Sequence, residues 1–322
     1  MQANVDAVVI GRNEGARLGK AIAELRADVR RVVYVDSASS DDSVAVARAA
    51  GADAVVVLCP PLSAARARNA GLRALADDPP AFVQLVDGDC VLVPGWIEAG
   101  RTALAGRGDL AAVFGRVREE APEASVYNRM QDHEWHMVVR GGASFTGVFL
   151  GRFTPLLETG GFREDLIAGE EGEFCDRLRA GGWQVAQLDR DMATHDLNMH
   201  RLAPFWRRAV RAGHSFAQVA SITPGAYRAE RIRAWGWAAV LPVVAVAGAL
   251  WVTPLAALAV AALYAASVAR NAQRLHGEGF GPRHALGGAL LLTLSKFANL
   301  QGMMTWAAWR LRGRGPQLIE YR

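Results

Sequence analysis

The sequence predicts an α/β fold. A doubly wound, mostly parallel sheet is expected over residues 1–222, followed over residues 223–322 by a membrane-associated helical region. Three observations predict this. Short β-branched apolar runs alternate with helix-patterned segments through residues 5–86. Wholly apolar strands separated by helices mark a parallel sheet covered on both faces. Charged side chains then vanish between residues 234 and 269. Finally, acidic residues stand where strands end, and open α/β sheets bind their ligands beyond the carboxyl ends of their strands.

Taken in order, residues 5–10 form the first strand, closed by Gly11, and residues 16–26 a helix. Residues 31–35 are the second strand. Ser40 is expected to cap a helix with Asp41 and Asp42 in its first turn and Gly51 at its end. Residues 54–58 make a third strand stopped by Pro60 and Pro61, residues 63–75 a helix, and residues 82–86 a fourth strand. A later strand, 184–188, leads through a short loop to His195-Asp196. The positions just past the strands are thus Gly11 to Glu14, Asp36 to Ser39 and Asp87 to Asp89. No GxGxxG follows the first strand and no Walker loop is present, which argues against nicotinamide, flavin and P-loop chemistry.

At 322 residues, 51% of them apolar, the chain can form one large domain with an appendage. Its net charge of +4 is concentrated at 201–233 and 310–322, beside apolar segments. That placement suits anionic lipid headgroups on the cytoplasmic side. Without RNP, zinc-finger or helix-turn-helix patterns, nucleic acid is not an expected partner. Three dispersed cysteines with no CxxC read as reduced thiols of a cytosolic domain. Residues 1–15 lack an apolar signal core, so no cleavable signal peptide is expected.

Several constellations can carry chemistry. Asp87-Gly88-Asp89 places two carboxylates at a strand end, where they can hold Mg²⁺ or Mn²⁺ together with diphosphate oxygens; the same tripeptide also suits a plain polar turn. Asp36 can accept the imide N–H of a pyrimidine. Glu170 and Glu171 open a helix led by Gly169 and stopped by Gly181 and Gly182. They are either first-turn acids that favour the helix dipole or include the general base for an acceptor hydroxyl. His195 can add an imidazole to the metal, or merely bond to Asp196. His133-Glu134-Trp135-His136 is not HExxH and reads as an ordinary helix face. Between Leu202 and Ala217 an apolar stripe runs opposite Arg207, Arg208 and Arg211, as in a helix packed on the domain or lying at a membrane surface.

These segments, in this order, resemble family 2 glycosyltransferases over about residues 5–220. Val-Val-Ile-Gly-Arg-Asn-Glu looks like the family's first strand and nucleotide loop. Val-Asp-Ser-Ala-Ser-Ser-Asp-Asp is similar to its VDdgStDgT, Ala-Arg-Asn-Ala-Gly-Leu at 67–72 to its ARNxGL helix, and Val-Asp-Gly-Asp to its DxD motif. Gly160-Gly161-Phe162 matches GGF, and Glu170-Glu171 stands where Glu-Asp is usual. Gly11 replaces a frequent proline.

The resemblance implies a GT-A fold and a divalent metal, Mg²⁺ or Mn²⁺. The donor site would comprise Gly11, Asn13, Glu14, Asp36, Arg68 and Asp87. Asp87, Asp89 and His195 would hold the metal, and Glu171, with Glu170 beside it, would serve as base. It also implies an inverting transfer from a nucleotide-diphosphate sugar, with UDP favoured by Asp36. The GEE form with a basic Trp-Arg-Arg helix looks like a bacterial membrane-associated subgroup of surface-polysaccharide assembly. The acceptor would then be a lipid-linked saccharide and the catalytic domain would lie on the cytoplasmic side of the inner membrane. A metal-dependent nucleotidyltransferase and a non-catalytic scaffold are the rival readings. In the C-terminal region a hairpin is expected at 234–269, turning near Trp251 to Pro254, with an interfacial or re-entrant helix at 285–309.

Overall fold

A computed structural model describes residues 4–136 and 144–313. The side chain of His136 and the basic residues Arg314 and Arg322 lie outside the described residues. The chain divides into two compact units, one of residues up to Glu120 with Asp132–Leu197, the other of Ala121–Gln131 with the chain from Asn198 on.

The first unit opens with β1 (Val5–Gly11), α1 (Ala16–Arg26), β2 (Val32–Asp36), α2 (Ser43–Ala49), β3 (Ala54–Val57), α3 (Ala64–Ala74) and β4 (Phe82–Asp87). It continues with β5 (Cys90–Leu92), α4 (Trp96–Gly106), β6 (Leu110–Glu119), α5 (Val126–His136, shared with the second unit), β7 (Phe149–Arg152), α6 (Phe153–Glu158), α7 (Glu170–Ala180) and β8 (Gln184–His195). Among the described residues the sheet has eight strands in the order β3-β2-β1-β4-β7-β6-β8-β5.

The half built from β3, β2, β1 and β4 is parallel, as the apolar runs require. The other half is mixed, because β7 runs antiparallel to both β4 and β6, and β5 antiparallel to β8. Every residue of β1 from Val5 to Ile10 is buried. Helix α3 lies close on this strand: a Cβ at Gly71 would run into Val8 Cγ1, which explains the glycine.

Two local expectations are corrected. Ser40 does not cap α2: Asp42 holds the cap position, and the N–H of Ser40 goes to Asn13 Oδ1 at 2.8 Å. The helix begins at Ser43, so Asp41 and Asp42 precede it, and Asp41 Oδ1 takes the Ser43 N–H at 3.0 Å. The strand expected to stop at 188 runs on to His195, since its second half pairs with β6 through register shifts and then with β5.

The second unit contains α8 (Leu202–Ala220), α9 (Arg228–Trp235), a π-helical turn (Gly236–Val240), α10 (Leu241–Trp251), α11 (Leu255–Gly277) and α12 (Pro282–Leu311). Helix α8 packs on α12 at two glycines. A Cβ at Gly213 would strike the Asn299 carbonyl, and one at Gly302 the Val210 carbonyl. Segments Arg228–Trp251 and Leu255–Gly277 are long and apolar enough to cross a membrane, and only 6% of each apolar window is buried. The chain reverses between them at Val252–Pro254. Residues 282–311 form one uninterrupted helix.

Candidate active site

Strand register builds the site. Gly11 lies opposite Asp36, and Ile10 opposite Asp87, so three strand ends finish level. The turns that leave them are tied together. Asp36 is buried and accepts the Tyr34 hydroxyl at 2.9 Å, the Ser39 hydroxyl at 2.6 Å and the Ser39 N–H at 2.8 Å. Ser39 Oγ in turn takes the Asn13 N–H at 2.9 Å. Ser43 Oγ accepts the N–H groups of Glu14 and Gly15 at 3.0 and 3.1 Å. A Cβ at Gly11 would press on Glu14 Cγ at 2.9 Å, so the frequent proline could not replace Gly11 without moving Glu14. Gly11, Asn13, Glu14 and Asp36 therefore share one ordered rim.

Arg68 organises the other side. Its guanidinium is buried and reaches three carboxylates: Asp87 Oδ1 at 3.0 Å, Glu170 Oε1 at 3.0 Å and Glu171 Oε1 at 3.1 Å. One cation thus joins the end of β4 to the start of α7. Next to it Asn69 exchanges hydrogen bonds with Phe162, and Phe162 packs on Phe174 at 4.5 Å. Gly160 and Gly161 adopt φ of +87° and +67°, a left-handed bend that only glycine makes without strain, and it brings Phe162 to Asn69.

Three acids around one arginine leave an excess of negative charge. Burial and the neighbouring Glu170 push the Glu171 carboxyl up to about 7, against the opposing pull of Arg68. A carboxylate held near neutrality is suited to take a proton at physiological pH. Glu170 is nearly fully buried, and its Oε2 has no hydrogen-bond partner among the described residues.

The expected metal ligands separate into two sets. Asp89 Oδ2 meets His195 Nε2 at 3.0 Å, and Cys90 joins them in one group. Asp87 is not in that group among the described residues, being drawn to Arg68. Two atoms bound side by side to one ion at about 2.1 Å lie roughly 3.0 Å apart, so the Asp89–His195 pair fits a small divalent cation. Behind the ring, His195 Nδ1 makes no hydrogen bond among the described residues but faces Glu119 Oε2 at 3.8 Å, so the carboxylate acts on the imidazole through charge. Trp135 sets its ring edge against His195 at 4.7 Å. Burial raises the Cys90 thiol well above its ordinary value. Asp196 points elsewhere, pairing with Arg17 at 3.6 Å.

Sequence reasoning missed Glu119, Cys90 and Gly147. The first two come from strands that the sequence did not single out. Gly147 fits against the site so closely that a Cβ would collide with Asp87 and Arg68.

This sheet, with acids at its central strand ends and an acid pair opening the facing helix, is the architecture of the GT-A glycosyltransferases. Residues 6–155 match the model of Glycosyl transferase family 2. Residues 6–155 therefore carry a glycosyl transferase family 2 domain. Among solved structures, a mannosyltransferase from Pyrobaculum calidifontis in complex with GDP-Man and Mn²⁺ is 17% identical, with a TM-score of 0.60 over 95% of this chain and 88% of that one. Glucosyl-3-phosphoglycerate synthase from Mycobacterium tuberculosis, in complex with Mn²⁺ and UDP-glucose, is 18% identical, with a TM-score of 0.49 over 67% of this chain and 78% of that one. A comparison with curated proteins finds no match.

Proposed function

We propose that this protein is an inverting, metal-dependent glycosyltransferase that moves a sugar from a nucleotide-diphosphate donor to a lipid-linked saccharide. It would work on the cytoplasmic side of a bacterial inner membrane, in cell-surface polysaccharide assembly. The observation that carries the catalytic part is the Arg68 bridge, which joins Asp87 at the donor end of β4 to Glu170 and Glu171. Donor recognition and proton abstraction belong to one pocket if one side chain touches the groups responsible for both.

The rim of Gly11, Asn13, Glu14 and Asp36 seats the nucleoside, with Asp36 fixing the loop as well as offering its remaining lone pairs to a base. Asp89 and His195 would hold Mn²⁺ or Mg²⁺, and Asp87, paired with Arg68, would face the donor. The ion, when bound, neutralises charge developing on the departing diphosphate. Glu171 takes the proton of the acceptor hydroxyl as that oxygen bonds to the anomeric carbon. The bond from that carbon to the diphosphate breaks, and its electron pair leaves with the nucleotide. One displacement from the opposite face inverts the configuration. The membrane part of the proposal rests on the two apolar helices, whose outward faces are uncovered.

The test is product analysis with a panel of nucleotide sugars. The panel should include GDP-sugars beside the favoured UDP-sugars, since the Pyrobaculum mannosyltransferase holds GDP-Man. Release of nucleoside diphosphate, lost in EDTA and in Asp89→Ala, supports sugar transfer. Release of pyrophosphate would assign the site to nucleotidyl transfer, and metal-independent turnover would overturn the mechanism.

A further inference from the structure

A cation inside a long apolar helix needs an anion. Lys296 sits in α12 between Thr293 and Phe297, both of which line an apolar groove of about 380 Å³. Among the described residues, neither the Lys296 ammonium nor the Arg231 guanidinium has a hydrogen-bond or ion-pair partner, and Arg231 Nε is buried. Lys296 is within electrostatic reach of Arg233 and Glu230. Glu230 is already engaged, since Arg233 donates to it at 2.8 Å. Ala234 of α9 is wholly buried against Leu300 and Met303 of α12. Lys296 lies one turn before Leu300, so it shares a face with the contact. Arg228 adds a further positive charge on the same short helix.

The groove begins at this level. It is lined by Pro242, Ala245, Ala257, Ala261, Tyr264 and Phe297. Its aromatic end is fixed where the Tyr264 hydroxyl donates to the Trp237 carbonyl and the Tyr264 ring stacks 6.5 Å from Phe297. Aromatic rings and basic side chains at one end, and small apolar side chains along the rest, match the headgroup and chain of a membrane lipid in turn. Positive charge at the mouth disfavours a cationic occupant, and a lining whose only polar side chains are Thr293 and Tyr264 offers too few partners for a sugar.

Resting on the reading of the hairpin as membrane-embedded, we propose that the second unit binds one anionic phospholipid. Lys296 holds its phosphate, and one acyl chain lies in the groove between α10, α11 and α12. Lys296 is then a headgroup ligand at the membrane surface, level with Arg233, rather than a charge in mid-bilayer.

The test uses the full chain in nanodiscs of phosphatidylcholine containing phosphatidylglycerol, with retained lipid counted by native mass spectrometry. The wild type should keep phosphatidylglycerol in preference to phosphatidylcholine. Lys296→Gln should lower that retention about fivefold, the effect of one basic residue at a membrane surface. Lys296→Arg should restore it, and Ala261→Phe, which fills the groove, should lower it. Arg274→Gln, on the exposed flank of α11, should leave it unchanged. Equal loss in Arg274→Gln and Lys296→Gln would reduce the effect to general surface attraction and overturn the site. Displacement by millimolar inorganic phosphate would make it a free-anion site, and displacement by equimolar polyprenyl phosphate would transfer it to the acceptor; either overturns the assignment. Wild type that floats with phosphatidylcholine vesicles yet shows no lipid preference defeats this proposal alone. Failure to float with any vesicle defeats the membrane reading as well.

Discussion

Asn69 and Phe162 exchange two hydrogen bonds: the amide of Asn69 donates to the Phe162 carbonyl at 2.8 Å, and its oxygen accepts the Phe162 N–H at 2.8 Å. A side chain on α3 thereby mimics a strand partner for the loop that leads to α7. Its neighbour Arg68 makes the contacts to Asp87, Glu170 and Glu171. Asn69→Ala strands a buried carbonyl and a buried N–H, which costs about 1–3 kcal/mol. The expected result is a lower urea midpoint together with a fall in kcat of at least about tenfold, because a small displacement of catalytic groups is costly. A mutant with reduced stability but undiminished kcat would show that the loop merely supports the fold.

The pH dependence follows from the Glu171 carboxyl, pushed up to about 7 by burial and by Glu170. A general base must be ionised, so kcat/KM should rise with pH through an acidic limb centred near 7. Glu171→Gln should remove that limb and at least about a hundredfold of turnover, in the range usual for loss of a general base. Glu170→Gln deletes a neighbouring negative charge and should move the midpoint to lower pH. The sign for stability is opposite to that for activity. A carboxyl raised in the folded state makes ionisation unfavourable to folding, so its contribution is intact below the unfolded value and declines as pH climbs toward 7. An acidic limb unchanged in Glu170→Gln would separate the two glutamates and remove this account.

The parallel half of the sheet was legible because its strands are short β-branched runs with punctuated ends, and Asp36 and Asp87 declare themselves by following such runs. The mixed half was not. Strand β6 carries Arg116, Arg118 and Glu119 at its far end, and β8 alternates poorly through Asp189, Arg190 and Asp191. Those charges are satisfied in pairs, as where Arg116 Nε meets Asp191 Oδ1 at 2.8 Å, an arrangement that local patterning cannot reveal. For that reason Glu119 behind His195 went unseen. The division of labour between Asp87 and Asp89 was equally hidden. Neighbours one residue apart on a strand end look alike in sequence, and only the fold brings Arg68 to one and His195 to the other.

Glu119 supplies a test of the metal centre that leaves the metal-facing atoms in place. Its carboxylate lies behind the His195 ring and also accepts the Leu197 N–H at 3.1 Å. Glu119→Gln keeps an acceptor for that N–H but loses the charge facing the imidazole. The expected outcome is a metal requirement raised by about 10- to 100-fold, as found when such outer partners are altered. Activity titrated with Mn²⁺ measures it, and saturating metal should restore most of the turnover. An unchanged half-saturation concentration would place His195 outside the metal centre, leaving its contact with Asp89 a plain hydrogen bond.

Topology is the last and most exposed prediction. Segments Arg228–Trp251 and Leu255–Gly277 hold 24 and 23 residues. At 1.5 Å per residue each is about 35 Å long, while the uncharged parts, residues 234–251 and 255–269, are only about 27 and 22 Å, so the span of roughly 30 Å is completed by arginine stems that keep their charged heads at the surface. Leu250, Trp251, Val252 and Leu255 at the turn are 66–81% exposed, which in water would be an aggregation surface and in lipid is ordinary. Arg228, Arg231 and Arg233 flank one end, Arg270 and Arg274 the other, and the turn carries no charge. Basic flanks prefer the cytoplasm, so both ends of the hairpin should lie there with the turn outside. Cys59 is exposed while Cys90 and Cys175 are buried, so Cys59→Ser gives a quiet background for labelling. In that background, a membrane-impermeant thiol reagent applied to intact spheroplasts should modify Thr253→Cys and spare Gly313→Cys. Modification at position 313 would mean that α12 also crosses, with an odd number of spans and the basic C-terminal residues on the outer face. Modification at neither position would mean that the hairpin does not cross the bilayer.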